Sequence, residues 1–120
     1  MTYIITSQKC SKNLGINNEI IKCNKNKDGY IDLKDLLFQL ESRGINKLMV
    51  EGGGTVIWNF IKNGFFDDLF VYTAPFVIGG KNTPTMADGS GMEDEKSKIL
   101  LKIIKIKQLG EGFLIHYRKK

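Results

Sequence analysis

The feature that most constrains this chain is Gly52-Gly53-Gly54, three glycines set between a strand-like segment and a helical pattern. Ile45 to Val50 reads as a buried strand with Lys47-Leu48-Met49-Val50 as its core, and a helix is expected from about Thr55 to Asn63. Val56 with Phe60, and Ile57 with Ile61, make that helix's apolar face, and Gly64 is its stop. Without Cβ atoms at such a junction, backbone can approach a phosphate closely. The first N–H groups of the helix then point at the anion, aided by the positive end of the dipole. Thr55 adds a hydroxyl. The competing reading is a tight turn whose glycines only save space, at a large cost in unfolded-state entropy. The run is neither a Walker A loop, since no Lys-Ser/Thr follows it, nor a GxGxxG fingerprint. Glu51, at the end of the expected strand, can face the crevice where α/β proteins bind ligands. A carboxylate there suits an amino-pyrimidine or a sugar hydroxyl, and a solvated or Lys-paired Glu is the alternative.

The remaining chain has the order of an α/β layer structure with helices on a mixed sheet. Residues 2–6 and 19–23 are strand candidates, the second weaker. Leu33, Leu36, Leu37 and Leu40 form one helical stripe over 33–43, opened by Asp32 as N-cap with Asp35 behind it and closed by Gly44. Asp68 to Ile78 is mostly strand, and Pro75 implies an edge or a bulge because it cannot donate to a ladder. Residues 79–95 form a polar loop. Strands at about 99–107 and 113–118 face each other across Leu109-Gly110-Glu111-Gly112. With 120 residues and no linker or repeat, a single domain over 1–120 is expected. No apolar run approaches the roughly 18 residues of a membrane helix, and the start lacks the pattern of a signal peptide. The expected address is cytoplasmic, with no membrane partner.

Charge narrows function less. The net charge is +5, but Lys96, Lys98, Lys102, Lys105, Lys107, Lys119 and Lys120 alternate with apolar residues as the wet face of strands would. No aromatic-rich motif accompanies them, so nucleic acid is not expected as a partner. Cys10 and Cys23 are expected as free thiols, and His116 as a structural or surface histidine. Asn24, Asn26, Asp28, Gly29, Ile31, Asp32 and Asp35 imitate a calcium loop, but Asn24 and the short Asp35 replace its end acids, while Lys25 and Lys27 dilute its charge. Turn plus N-cap accounts for the same residues. Gly79-Gly80-Lys81 is either another phosphate-approach loop or the turn out of a strand. No Ser/His/Asp set, carboxylate pair or metal cluster is legible, so no catalytic residue and no metal are assigned. Hydride chemistry is compatible with that lack, because the cofactor carries it.

Val50-Glu51-Gly52-Gly53-Gly54-Thr55, Trp58-Asn59, Gly64-Phe65-Phe66-Asp67-Asp68, Tyr72-Thr73-Ala74-Pro75 and Ile78-Gly79-Gly80-Lys81 resemble, in that order, the C-terminal half of the riboflavin-biosynthesis reductase family. Gly80-Lys81-Asn82-Thr83-Pro84-Thr85, Asp88-Gly89 and Leu109-Gly110-Glu111-Gly112 are most similar to its archaeal 2,5-diaminopyrimidine branch. The resemblance implies a dihydrofolate-reductase-like fold, a homodimer, and hydride delivery from NADPH, with NADH left open, to the ribosyl C1′ of a ribosylaminopyrimidine 5′-phosphate. It implies that Glu51 contacts substrate and that Gly53, Gly54, Thr55, Val56, Ile57, Trp58 and Asn59 form the cofactor-phosphate loop and first helical turn. Ser7, after the first strand, resembles a further cofactor contact.

Members of that family are about twice this length, a size more usual for a complete domain of this kind. The chain is therefore expected to be a fragment, a mis-called start, or one piece of a two-chain enzyme. It would leave an exposed apolar sheet edge, bind NADPH poorly alone and turn over nothing. The second expectation, from another class, is a non-catalytic nucleotide-binding or interaction module built on the same glycine loop.

Overall fold

A computed structural model describes residues 1–7, 17–94 and 97–120. By contacts these fall into two compact units, Met1–Met49 and Val50–Lys120. Cys10 and Lys96, read above as a thiol and a surface lysine, lie outside the described residues.

In the first unit, β1 (Thr2–Thr6) pairs in parallel with β2 (Asn18–Lys22), Ile4 lying beside Ile20 and Ile5 beside Ile21. The helix α1 (Leu33–Glu41) follows. Ile21, at 1% exposure, Cys23 and Leu40 are the buried centre, with Tyr3, Ile5, Ile31, Leu36 and Ile45 packed around them. Apolar side chains from both strands and from the helix stripe thus converge, which is what the change from strand to helix period requires. Burial pushes the Cys23 thiol up from its ordinary pKa, and the nearby Asp35 carboxylate adds to the effect. The thiolate is the reactive form, so burial of the side chain, 2% exposed, and the raised pKa both lower this cysteine's reactivity.

The segment that imitates a calcium loop spends its oxygens on the backbone. Asn26 Oδ1 accepts from the Asp28 and Tyr30 amides at 3.0 and 2.9 Å, and Gly29 takes the left-handed turn position at φ 84°. Asp32 caps α1, its Oδ1 accepting from the Lys34 amide at 2.9 Å. Asp35 accepts from the Asn24 amide at 2.6 Å and from Gln39 Nε2 at 3.2 Å. Asp32→Ala is expected to destabilise the chain by about 1 kcal/mol, the usual worth of an N-cap, read as a lowered urea midpoint at unchanged slope. At the other end, Ile45 N–H donates to Leu40 O and Gly44 N–H to Glu41 O, the paired bonds of a Schellman stop with Gly44 at φ 80°.

The second unit opens with α2 (Gly54–Lys62) and continues into a three-stranded antiparallel sheet of order β3-β5-β4. The strands are β3 (Asp68–Thr73), β4 (Leu101–Leu109) and β5 (Gly112–Lys119). Phe65 N–H to Phe60 O and Gly64 N–H to Ile61 O repeat the Schellman stop on α2. The predicted hairpin forms, Leu109 pairing with Gly112 and Gly110 at φ 59° carrying the turn. Register places Lys102, Lys105 and Lys107 opposite Arg118, His116 and Leu114; all three lysines are exposed, but so are Ile103, Ile104 and Ile106, so β4 does not divide into the wet and buried faces that the alternation implied.

Further expectations need correction. Residues 45–50 do not form a strand, and Met49 is 81% exposed. A strand exists through its ladder, and none of the described strands pairs with this segment. The strand expected over 68–78 stops at Thr73. Pro75 has no N–H to continue the pairing, and Phe76, Val77 and Ile78 beyond it are exposed, Val77 at 94%. The apolar face expected for α2 is also narrower than its pattern: Phe60 and Ile61 are buried, Ile57 is half-buried and Val56 is exposed.

His116 is held on the sheet surface. Its Nε2 lies 2.5 Å from Asp68 Oδ1, which also accepts from Arg118 Nε at 2.7 Å. The Phe70 ring stacks on the imidazole at 4.4 Å. The Arg118 hydrogen bond, and secondarily that of His116, holds the Asp68 carboxyl below the usual carboxylate range. A carboxylate depressed in the folded state stabilises it fully above the unfolded pKa, and that contribution is lost as pH falls through the folded value. Asp68→Asn is therefore expected to flatten the acid limb of the stability curve below about pH 4. Urea midpoints measured down that limb check it, and a limb as steep as the parent's would refute it.

Candidate functional site

The chain enters α2 through Glu51, Gly52 and the N-cap Gly53, whose backbone is extended at φ −65° and ψ 163°. No side chain caps the helix. Val56 and Ile57 donate to Gly53 O at 3.0 and 3.2 Å, while the earlier amides of Gly54 and Thr55 have no backbone or side-chain acceptor among the described residues. A helix start always leaves such donors over, and uncapped they are available to an anion.

The three glycines differ in what they do. A Cβ on Gly53 would meet nothing within 4 Å, and its φ is one that any residue adopts. The fold has no steric need for glycine there, and the missing side chain leaves open space in front of the helix start. At Gly52 a Cβ would come within 3.1 Å of the Val56 side chain, a tight but negotiable contact. At Gly54 it would lie 2.2 Å from Asp88 Oδ2 and 2.8 Å from Thr85 O, so that glycine is demanded by the fold itself. The two readings of the run, space-saving turn and anion approach, thus divide between Gly54 and Gly53.

Glu51 is exposed, lies in irregular chain rather than at a strand end, and pairs with no group among the described residues. Thr55 and Val56 are exposed on the first turn. Asn59, half-buried, donates through Nδ2 to Thr55 O at 2.9 Å. Trp58 turns its indole N–H to Ser90 O at 2.8 Å, and its ring would lie 2.9 Å from a Cβ on Gly89. Residues 51–59 are therefore brought together on one loop and helix start. Ser7 follows β1 in the first unit and is half-buried.

The residue that sequence reasoning missed here is Asp88. It stood only as part of a loop motif, whereas its carboxylate lies against the first residue of α2. The signal was its place in Thr85-Met86-Ala87-Asp88-Gly89, where Asp followed by Gly marks a turn able to aim a carboxylate. Gly79-Gly80-Lys81 is a turn with both glycines at positive φ, and Thr83 Oγ1 donates back to Gly79 O. An open hollow of about 500 Å³ is lined by Gly64, Phe66, Asp67, Asp68, Arg118 and Lys119. It lies at the C-terminal end of α2, where the Lys119 ammonium approaches Gly64, and Asp68 and Arg118 already satisfy each other there.

Residues 1–115 match the family model described as the RibD C-terminal domain. The 2,5-diamino-6-ribosylamino-4(3H)-pyrimidinone 5′-phosphate reductase of Methanothermobacter thermautotrophicus is 34% identical over 90 residues, covering 75% of this chain and 42% of that protein. The protein of the same description from Archaeoglobus fulgidus is 38% identical over 88 residues, covering 73% and 38%. The matches thus extend over about two-fifths of the length of these curated relatives. Among solved structures, Acinetobacter baumannii RibD superposes with a TM-score of 0.68 at 20% identity, over 84% of this chain and 31% of that one. A pyrimidine reductase-like protein from Corynebacterium diphtheriae does so at 0.67 and 20%, over 87% and 40%. At such identity the likeness speaks to fold, and the fold is of the α/β class expected from the sequence. Sequence match and fold agree, and the chain belongs to the RibD C-terminal domain family.

Proposed function

We propose that this chain is part of a single reductase domain that uses NADPH to reduce the ribosyl group of a ribosylaminopyrimidine 5′-phosphate to ribityl, in riboflavin biosynthesis. The names of the archaeal relatives support the substrate and the reaction. The observation that carries the cofactor site is the open space at Gly53 beside the uncapped amides of α2. A dinucleotide's pyrophosphate fits that place: its oxygens accept from the Gly54 and Thr55 amides, with the helix dipole favouring the charge. When bound, the nicotinamide supplies the hydride. The protein's part is to orient the reacting groups and keep them dry. Glu51, exposed and without a partner, is the acceptor on this loop for a substrate amino or hydroxyl group. Ser7 is proposed as a second cofactor contact. A homodimer in the cytoplasm, with neither nucleic acid nor membrane as a partner in the reaction, completes the reading.

The test is titration of NADPH into the 120-residue chain, alone and mixed with the N-terminal half of an archaeal relative, with substrate present. Loss of the nicotinamide absorbance only in the mixture is the expected result. Substrate reduction by neither preparation, with NADPH bound by neither, would leave the glycine junction as a turn and nothing more.

A further inference from the structure

The sheet of the second unit gathers on one face residues that the chain keeps apart. Directly paired residues share a face, as do alternate residues of one strand. The register therefore sets Phe70, His116 and Lys105 in one row and Tyr72, Leu114 and Lys107 in the next. Lys102 lies opposite Arg118 at the end of the same face, so β4 carries a column of three exposed lysines. Asp68, the one carboxylate in the three strands, is already occupied by Arg118 and His116. Across β5 from the lysines two aromatic residues stand in solvent, Phe70 at 59% and Tyr72 at 50% exposure. Both rings are held in place. Phe70 stacks on the His116 imidazole with the planes 14° apart. Tyr72 crosses β5 at Gly112, where a Cβ would lie 2.7 Å from its ring, and donates to Leu109 O on β4 at 3.3 Å.

Large apolar groups left together on a charged face mark a surface that something covers. The lysines have no aromatic neighbours along the chain, which is why sequence alone argues against nucleic acid; the sheet supplies the aromatics from β3. A basic track for phosphates beside rings on which bases stack is how proteins hold an unpaired strand. A duplex hides its base faces, and an anion without bases leaves the rings uncovered. We infer that this sheet face binds single-stranded RNA, with phosphates along Lys102, Lys105 and Lys107 and bases on Phe70 and Tyr72. RNA is the unpaired nucleic acid of the cytoplasmic setting proposed above. The function is separate from the reductase reading, since none of these residues belongs to the glycine junction.

A labelled oligouridylate of about 12 nucleotides, within the usual span of such sites, is titrated with the full chain at several salt concentrations and followed by fluorescence anisotropy. The strand is expected to bind, and its duplex with oligoadenylate to bind at least about fivefold more weakly, the worth of one lost stack. Affinity should fall with salt on a double-logarithmic slope near about −2, roughly −0.7 for each phosphate neutralised. Lys105→Gln should make that slope shallower by about 0.7, whereas Lys62→Gln, an exposed lysine on α2, should leave it at the parent value. Phe70→Leu keeps apolar bulk without the ring, and should weaken binding about fivefold or more with the slope unchanged. Tyr72→Leu repeats that test at the second ring, so a folding defect in one variant, seen by circular dichroism, does not decide the result. No binding by the parent, as for a face buried between two copies, would overturn the inference. So would equal affinity for strand and duplex, or ring variants that bind like the parent, since either result means attraction by charge alone. An oligothymidylate that binds more tightly than the oligouridylate would overturn the assignment to RNA.

Discussion

Gly53→Ala, made in a complete reductase containing this sequence, is expected to weaken NADPH binding about tenfold and leave thermal stability nearly unchanged. The new methyl group meets no protein atom within 4 Å, and the backbone conformation is an ordinary one, so the folded chain has little reason to object. Alanine is a poorer N-cap than glycine by roughly 0.5–1 kcal/mol, but at a backbone conformation that it accepts it also lowers the unfolded chain's entropy, which returns about 0.4–1 kcal/mol, so the two nearly cancel. The methyl does stand in the approach to the uncapped amides. Holding a phosphate oxygen away from one of them forfeits a hydrogen bond to a charged group, worth about 1.5–3 kcal/mol, and 1.4 kcal/mol is a factor of ten. Calorimetric titration with NADPH beside a melting curve makes the comparison. Equal affinity with equal melting would mean that the space in front of Gly53 receives nothing.

Gly112→Ala should do the reverse, damaging the fold with no direct effect on the ligand loop. Gly112 begins β5 and is buried. A Cβ there would come within 2.4 Å of the Thr73 carbonyl oxygen and 2.7 Å of the Tyr72 ring and hydroxyl. The ring can swing aside, but Thr73 is backbone, paired to Phe113 in the β3–β5 ladder. The hairpin end must separate from β3 or the turn must deform, and Gly110 is already committed to positive φ. Overpacking of this kind costs about 1–3 kcal/mol, visible as a midpoint loss of several degrees for a chain of this size. A Gly112→Ala protein that melts with the parent would show that Thr73 yields without cost. Paired with Gly53→Ala, the variant separates glycines kept for the fold from those kept for a ligand.

Residue types and spacing alone determined the two helices and their stops, since Asp32, Gly44 and Gly64 act through bonds only a few residues long. The β4–β5 hairpin was legible for the same reason, its register being set by the turn at Gly110 and Glu111. The glycine junction and its place at a helix start were also local. Pairing was not: residues 45–50 have the composition of a strand, yet a strand is a relation to a neighbour, and no described strand pairs with them. Nor could composition tell Gly53 from Gly54. Identical residues, adjacent in the chain, differ because one faces open space and the other faces Asp88, 34 positions away, and a contact of that range is set by how the loop folds back in three dimensions.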